Sequence, residues 1–200
     1  MFWDKISPLY DLFENVYNGK VYSGTGKKVA EFIDPSDEVL ECACGTGAIS
    51  MYIAQKCRKL VATDCASGML RQASKKCRKY SNVLFKKADI TNIKCKDSQF
   101  DKVVAGNVIH LLPEPEKALR ELERVVKPGG KVIIPTYINM SKGTGTAAVK
   151  VITLLGADFK RQFDLDSYKQ FFADMRYTEV EYYVVDGRMP CAIAVITKRV

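Results

Sequence analysis

Val39-Leu40-Glu41-Cys42-Ala43-Cys44-Gly45-Thr46-Gly47 passes within nine residues from a short apolar strand, through a carboxylate, into a glycine bend. Gly45 and Gly47 permit a sharp strand-to-helix turn and close approach of a ligand to the backbone. The amide groups exposed where the next helix begins favour a negatively charged ligand group. Downstream the pattern repeats. A helical stretch from about Gly47 to Lys56 leads to a second strand, Leu60-Val61-Ala62-Thr63-Asp64, and a helix from about Ser67 to Lys79 leads to a third, Val83 to Ala88. A fourth runs from Phe100 to Gly106, followed by a helix from Pro115 to Val126 that Lys127-Pro128-Gly129-Gly130 stops, and a fifth covers Lys131 to Tyr137.

Short, nearly all-apolar strands alternating with helices indicate a parallel sheet covered on both faces. The tail departs from that rhythm, with a helix around Asp166–Met175 and two strands, Thr178–Val185 and Cys191–Thr197, joined by a short loop containing Gly187 and Pro190. Such a pair reads as antiparallel. The expected fold class is α/β: a Rossmann-like, mostly parallel seven-stranded sheet with helices on both faces and an antiparallel last strand. Upstream, Ile6, Leu9, Tyr10, Phe13, Val16 and Tyr17 recur at helical spacing, and predict an N-terminal helical lid. One domain over 1–200 is expected, divided into a lid (1–26), a ligand-binding core (27–138) and a substrate-side insertion with the C-terminal antiparallel strands (139–200).

Composition fits a globular chain of 200 residues, with 47% hydrophobic and 27% charged residues. No apolar run approaches a membrane span, and Met1-Phe2-Trp3-Asp4-Lys5 does not read as a signal peptide, so a cytoplasmic location is expected. Seven cysteines, an odd number without a CxxC pair, read as free thiols, and with one histidine no metal site is expected. Cys42 and Cys44 read as small buried packing residues, the alternative being a thiol role toward a soft metal or metalloid. The net charge of +8 gathers in Lys56–Lys59, Lys75–Lys79 and Lys86-Lys87. A solvated helix face accounts for these clusters. Attraction for an anionic partner is the alternative, and nucleic acid ranks second because no aromatic-interleaved RNA motif accompanies the lysines.

In open α/β sheets ligands bind at the carboxyl ends of the strands, where strand order reverses. Asp64 ends the second strand, 23 residues beyond Glu41, and is suited to holding both hydroxyls of a ribose. Asp89 follows the third and can accept from an adenine amino group, with Ile90 packing on the ring. Asn107 follows the fourth, facing the substrate pocket. A dinucleotide site wants a third glycine, but Ser50 holds that place, and Glu41 would repel a pyrophosphate while meeting an ammonium group.

The segment 39–47 resembles the first motif of the class I S-adenosylmethionine-dependent methyltransferases, with Ala43 where many members have glycine. Leu60–Asp64 with Met69-Leu70 resembles the second motif and Ala88-Asp89-Ile90 the third. The fourth is matched by Phe100–Val104 through Asn107 and His110-Leu111-Leu112, and Val125–Lys131 is like the segment that follows. Ile6-Ser7-Pro8-Leu9-Tyr10-Asp11 looks like the start of the branch related to ubiquinone and menaquinone biosynthesis enzymes, whose substrates vary. The resemblance implies S-adenosylmethionine as cofactor, S-adenosylhomocysteine as product and a small-molecule acceptor. It implies that Glu41 with Ala43, Cys44, Gly45 and Gly47 holds the methionine end, Asp64 the ribose, and Asp89 with Ile90 the adenine. Cys65, Met69 and Asn107 complete the contacts, and Tyr10 closes over the cofactor from the lid.

His110 is the candidate general base, needed only if the acceptor loses a proton; packing at a helix start is the competing explanation. Asn107-Val108-Ile109-His110 lacks the Asn/Asp-Pro-Pro-aromatic run of members that methylate planar amino nitrogens. Asn139–Phe163, with Gly143-Thr144-Gly145, and the lid are expected to select the acceptor. Two other readings stand beside this one: a nicotinamide-dependent dehydrogenase, and a non-catalytic cofactor-binding or RNA-associated protein.

Overall fold

The structure, a computed structural model, describes residues 2–139 and 160–199. Seven strands, β1 (Glu38–Cys42), β2 (Lys59–Asp64), β3 (Val83–Lys87), β4 (Phe100–Ala105), β5 (Val126–Tyr137), β6 (Val180–Val185) and β7 (Cys191–Thr197), form one sheet in the order β3-β2-β1-β4-β5-β7-β6. The first five pair in parallel. β7 runs antiparallel to both β5 and β6, which is the mixed sheet that the apolar strands and the short C-terminal loop foretold. Strand order reverses between β1 and β4, so the cleft between their carboxyl ends is where a ligand is expected.

Alternation along the strands divides the apolar core in two. Leu40, Cys42, Val103, Ala105, Val132 and Ile134 join one cluster, while Val39, Val104 and Ile133 join the other. The first is closed by α4 (Pro115–Val125), which turns Ala118, Leu119, Leu122 and Val125 inward, and by α5 (Leu165–Asp174), which contributes Tyr168 and Phe172. A capping box between Asp164 and Ser167 starts α5 by satisfying the amides that a helix leaves open at its first turn. The second face is covered by α1 (Phe2–Ala30), α2 (Ser50–Ile53) and α3 (Ser67–Lys76). Among the described residues no helix is long and apolar enough to cross a membrane.

Three boundaries differ from the sequence pattern. The helix after β1 is a single turn, because Ala43, Gly45 and Gly47 all adopt positive φ and the chain spends residues 45–49 in turns. Lys127-Pro128-Gly129-Gly130 follows the end of α4 but belongs to β5. A register shift between Phe100 and Lys102 accommodates it, and Gly129 N–H bonds Lys198 C=O at 2.9 Å. The N-terminal helix continues to Ala30 with a break at Asn18 (φ −140°, ψ 30°), where the side-chain amide donates to Met189 C=O at 2.8 Å. That bond ties the middle of α1 to the β6–β7 loop. Gly143-Thr144-Gly145 lies outside the described residues.

Candidate active site

At the carboxyl ends of β1, β2, β4 and β5 lies a cleft with about 850 Å³ of empty space, part of it open to solvent. Of the residues singled out from sequence, Glu41, Ala43, Cys44, Gly45, Asp64, Cys65, Met69 and Asn107 line it. They arrive from four separate elements, so the fold, not sequence proximity, gathers them.

Glu41, next to last in β1, is 1% exposed and accepts a hydrogen bond from Ser50 Oγ at 2.5 Å. Burial pushes its carboxyl up to about 8, against the stabilising hydroxyl of Ser50 and with added repulsion from Asp64. A carboxyl this deep stays protonated near neutral pH and ionises readily only when a cation enters beside it. Asp64 is held differently. One carboxylate oxygen accepts from Gly45 N–H at 2.9 Å, the other from Ala66 N–H at 2.8 Å. Burial raises its pKa, and those two amides oppose the rise. The Cys65 side chain also bonds this carboxylate, which with its roughly four acceptor positions still has room for a further donor.

The glycine bend needs its unusual residues for different reasons. Gly45 (φ 53°) has open space where a Cβ would lie, so only its dihedral demands glycine. At Gly47 (φ 81°) a Cβ would also stand 3.1 Å from Ala73 Cα, so α3 packs directly on the bend. Ala43 takes φ 52° without being glycine. Asn107 (φ 53°) lies two residues beyond β4, and its side-chain oxygen accepts from Tyr137 N–H at 3.1 Å, fixing the turn after β4 to β5 at the cleft wall.

Other expected residues lie elsewhere. Asp89 is exposed beyond the end of β3, one strand from Asp64, where Ala88 N–H bonds Asp64 C=O; its carboxylate caps the Thr91 amide at 2.8 Å. Ile90 packs into the core on the α4 face and is not part of the cleft lining. His110 does not line the cleft either. It is 7% exposed, burial pushes its imidazole down to about 4, and its carbonyl accepts from the amides of Lys160 and Arg161. Tyr10 belongs to α1, but its side chain lies outside what the structure describes. Among the described residues no cluster of His, Cys, Asp or Glu could hold a metal ion.

The sequence reading missed the brace that seats α1. Lys76 Nζ pairs with Asp11 at 2.8 Å, and the other Asp11 oxygen accepts from both Tyr22 Oη and Thr46 Oγ1 at 2.5 Å. Asp4 accepts from Gly68 N–H at 2.6 Å at the start of α3. With α1 thus fixed, Trp3, Tyr22 and Thr25 become cleft wall, joined by Thr46, Ile49 and Tyr137. Tyr137 was within reach of the strand-end rule, since it closes β5. Tyr22 and Thr25 stand three apart on one helical face, a spacing that says "inward" without saying toward what.

Residues 40–134 match the family described as a methyltransferase domain. The chain is 27% identical over 210 aligned positions to the demethylmenaquinone methyltransferase of Renibacterium salmoninarum, an alignment covering 92% of this chain and 86% of that protein. It is 30% identical over 141 positions to the ubiquinone/menaquinone biosynthesis C-methyltransferase of Bdellovibrio bacteriovorus, covering 66% of this chain and 58% of that protein. Among solved structures, a SAM-dependent methyltransferase of Thermotoga maritima superposes with a TM-score of 0.73 at 17% identity, over 99% of each chain, a likeness of fold.

Proposed function

We propose that this chain is an S-adenosylmethionine-dependent methyltransferase, on the match of residues 40–134 to a methyltransferase domain and the likeness to demethylmenaquinone methyltransferases, and that the cleft holds the cofactor extended between Glu41 and Asp64 for in-line methyl transfer to a small-molecule acceptor. The observation that carries the residue assignment is the meeting of two buried carboxylates and a glycine bend at the point where strand order reverses. Glu41 suits the ammonium of the amino-acid end, because a desolvated carboxyl gains most from a cation that shares its site. Asp64, already oriented by Gly45 and Ala66, has acceptor capacity for a ribose diol. Residues 43–46 with Cys65 and Met69 line the space between, Gly47 shaping the bend without lining the cleft, and Asp89 is assigned the adenine amino group. Ile90 packs in the core and is not assigned a ring contact.

Bound there, the cofactor supplies a methyl group already made electrophilic by its sulfonium. What the protein adds is alignment and exclusion of water, effects that reach about 7–11 kcal/mol in well-oriented cases. Trp3 and Tyr22 of α1 roof the cleft, and Tyr137, Val108 and Leu111 present an apolar wall for the acceptor. His110 has no part in this scheme. The relatives are named for demethylmenaquinone, so a demethylated quinone ring is the first acceptor to test, and the enzyme is assigned to the cytoplasm. The 1–26, 27–138 and 139–200 division into lid, core and acceptor-side segment is retained, with the lid helix extended to Ala30.

The experiment is transfer of labelled methyl from S-adenosylmethionine to a panel of demethylated quinols and a metabolite extract. Labelled product that requires the protein and is abolished in Asp64→Asn supports the proposal. Label passing to no acceptor, with binding of the cofactor intact, favours a non-catalytic binding protein.

A further inference from the structure

The positive charge of this chain is gathered in one stretch. From Lys56 to Lys87 the sequence carries ten lysines and arginines and one carboxylate, the buried Asp64, in a chain whose whole net charge is +8. The rest is therefore close to electrical balance, and the surplus belongs to β2, α3, β3 and the turns beside them. Arg58 and Lys76 are ion-paired, with Glu38 and Asp11. Lys75, Lys79, Lys86 and Lys87 are exposed and form no ion pair among the described residues.

Those four cations bracket an edge of the sheet. β3 ends the strand order. Leu60 N–H bonds Asn82 C=O at 2.9 Å and Ala88 N–H bonds Asp64 C=O at 3.1 Å, so the even-numbered residues of this strand turn their main-chain groups toward β2. Val83, Phe85 and Lys87 present theirs outward, where no main-chain partner meets them among the described residues. Lys75 near the end of α3 and Lys79 in the turn after it lead into the strand, and Lys86-Lys87 close it. Between them Leu84 stands 44% exposed. It shares a face with Val61, its register partner in β2, and the chain passes from β3 to β4 without a helix to cover that face.

Lysine on an edge strand opposes pairing with a second, equally charged copy. That accounts for Lys86 and Lys87, but not for the cations beside the strand or for the leucine left bare between them. Outward amides and carbonyls select a main-chain partner over a phosphate backbone or a lipid headgroup, since an extended peptide supplies donors and acceptors in alternation at the strand spacing. The charge selects its sign. We propose that the outer edge of β3 is a docking edge for an acidic partner protein, which adds an extended segment rich in glutamate or aspartate to the sheet as a further strand.

The test titrates the full chain with a short peptide alternating glutamate with valine, a counterpart with lysine in place of glutamate, and a counterpart interrupted by proline. The glutamate peptide is expected to bind and to slow hydrogen exchange at the amides of Val83, Phe85 and Lys87. Those of Leu84 and Lys86, already turned to β2, are expected to stay unchanged. The lysine and proline peptides are expected not to bind. Lys86→Glu combined with Lys87→Glu is expected to weaken the glutamate peptide about tenfold. If that variant does not fold, Lys75→Glu with Lys79→Glu, outside the strand, repeats the comparison. Oligouridylate and phosphatidylglycerol vesicles are titrated in parallel. Binding of either without binding of the glutamate peptide overturns the inference, as does no binding at all. Equal affinity for the glutamate and lysine peptides, or protection spread evenly along β3, overturns it too. No methyl donor enters the measurement, so its outcome is independent of the cofactor assignment.

Discussion

At the scale of single residues, the cleft sets two non-glycine residues, Ala43 and Asn107, at positive φ and holds a displaced proton on Glu41. Ala43 sits at φ 52°, a region that costs a side chain about 1–2 kcal/mol and glycine almost nothing. Part of that gain is returned through the looser unfolded chain, so Ala43→Gly is expected to stabilise the protein by about 0.5–1 kcal/mol in urea unfolding. Unchanged or lower stability would mean that the alanine methyl is repaid by packing. Glu41 links binding to pH. Its folded pKa of about 8 exceeds the ordinary 4.5, so the folded chain holds an extra proton between those values. The stability it contributes is complete below pH 4.5 and is lost as the pH rises through about 8. An ammonium reverses the preference, so S-adenosylhomocysteine binding is expected to release a proton and to tighten by up to about tenfold per pH unit from 6 toward 8. Calorimetry in two buffers of different ionisation heat measures the proton, and Glu41→Gln should abolish the release.

At the scale of elements, α1 is the part that the sequence described least well and the cleft depends on most. That it is a helix was legible, as were the strands, because a period of 3.6 or a short apolar run is written locally; of its expected apolar stripe, Val16 stands 75% exposed and the side chains of Leu9, Tyr10 and Phe13 lie outside what the structure describes. Glu41, Asp64 and Asn107 were legible for a related reason: each follows directly from where a strand ends. The brace was not, since Asp11, Tyr22, Thr46 and Lys76 meet only after α1 has folded across the bend and α3. Long-range polar contacts leave no period in a sequence. Asp89, Ile90 and His110 are not in the cleft lining: Asp89 is exposed beyond β3, and Ile90 and His110 are buried.

Burial works to raise the Asp11 pKa, but the bonds from Lys76, Thr46 and Tyr22 outweigh it and hold the carboxyl below its ordinary 3.8. The stability it supplies is therefore present above pH 3.8 and lost as the pH falls through the lowered value. Lys76→Met is expected to cost about 1 kcal/mol, the partial exposure of both partners limiting the loss. It should also speed proteolysis within α1 and shift the emission of Trp3, the chain's single tryptophan, to the red. Proteolysis at the wild-type rate would show that the Asn18 tie to the β6–β7 loop suffices to hold the helix.

At the scale of the whole molecule, the order β3-β2-β1-β4-β5-β7-β6 does two things at once. It splits the apolar core across two faces, and it opens the reversal point between β1 and β4 where polar groups from four strand ends can converge. A ligand that joins those elements stabilises all of them, because it binds the folded chain alone. S-adenosylhomocysteine at a hundred times its dissociation constant is worth about 2.7 kcal/mol, which for a chain of this size corresponds to a rise in melting temperature of about 5–10 °C. The most direct test is one titration, S-adenosylhomocysteine into the wild-type chain followed by heat and by Trp3 emission, with NAD as the parallel ligand. One saturable site for S-adenosylhomocysteine, a change at Trp3 and no heat from NAD are the predicted results. Saturation by NAD with none by S-adenosylhomocysteine would contradict the placement of an amino acid and a nucleoside between Glu41 and Asp64.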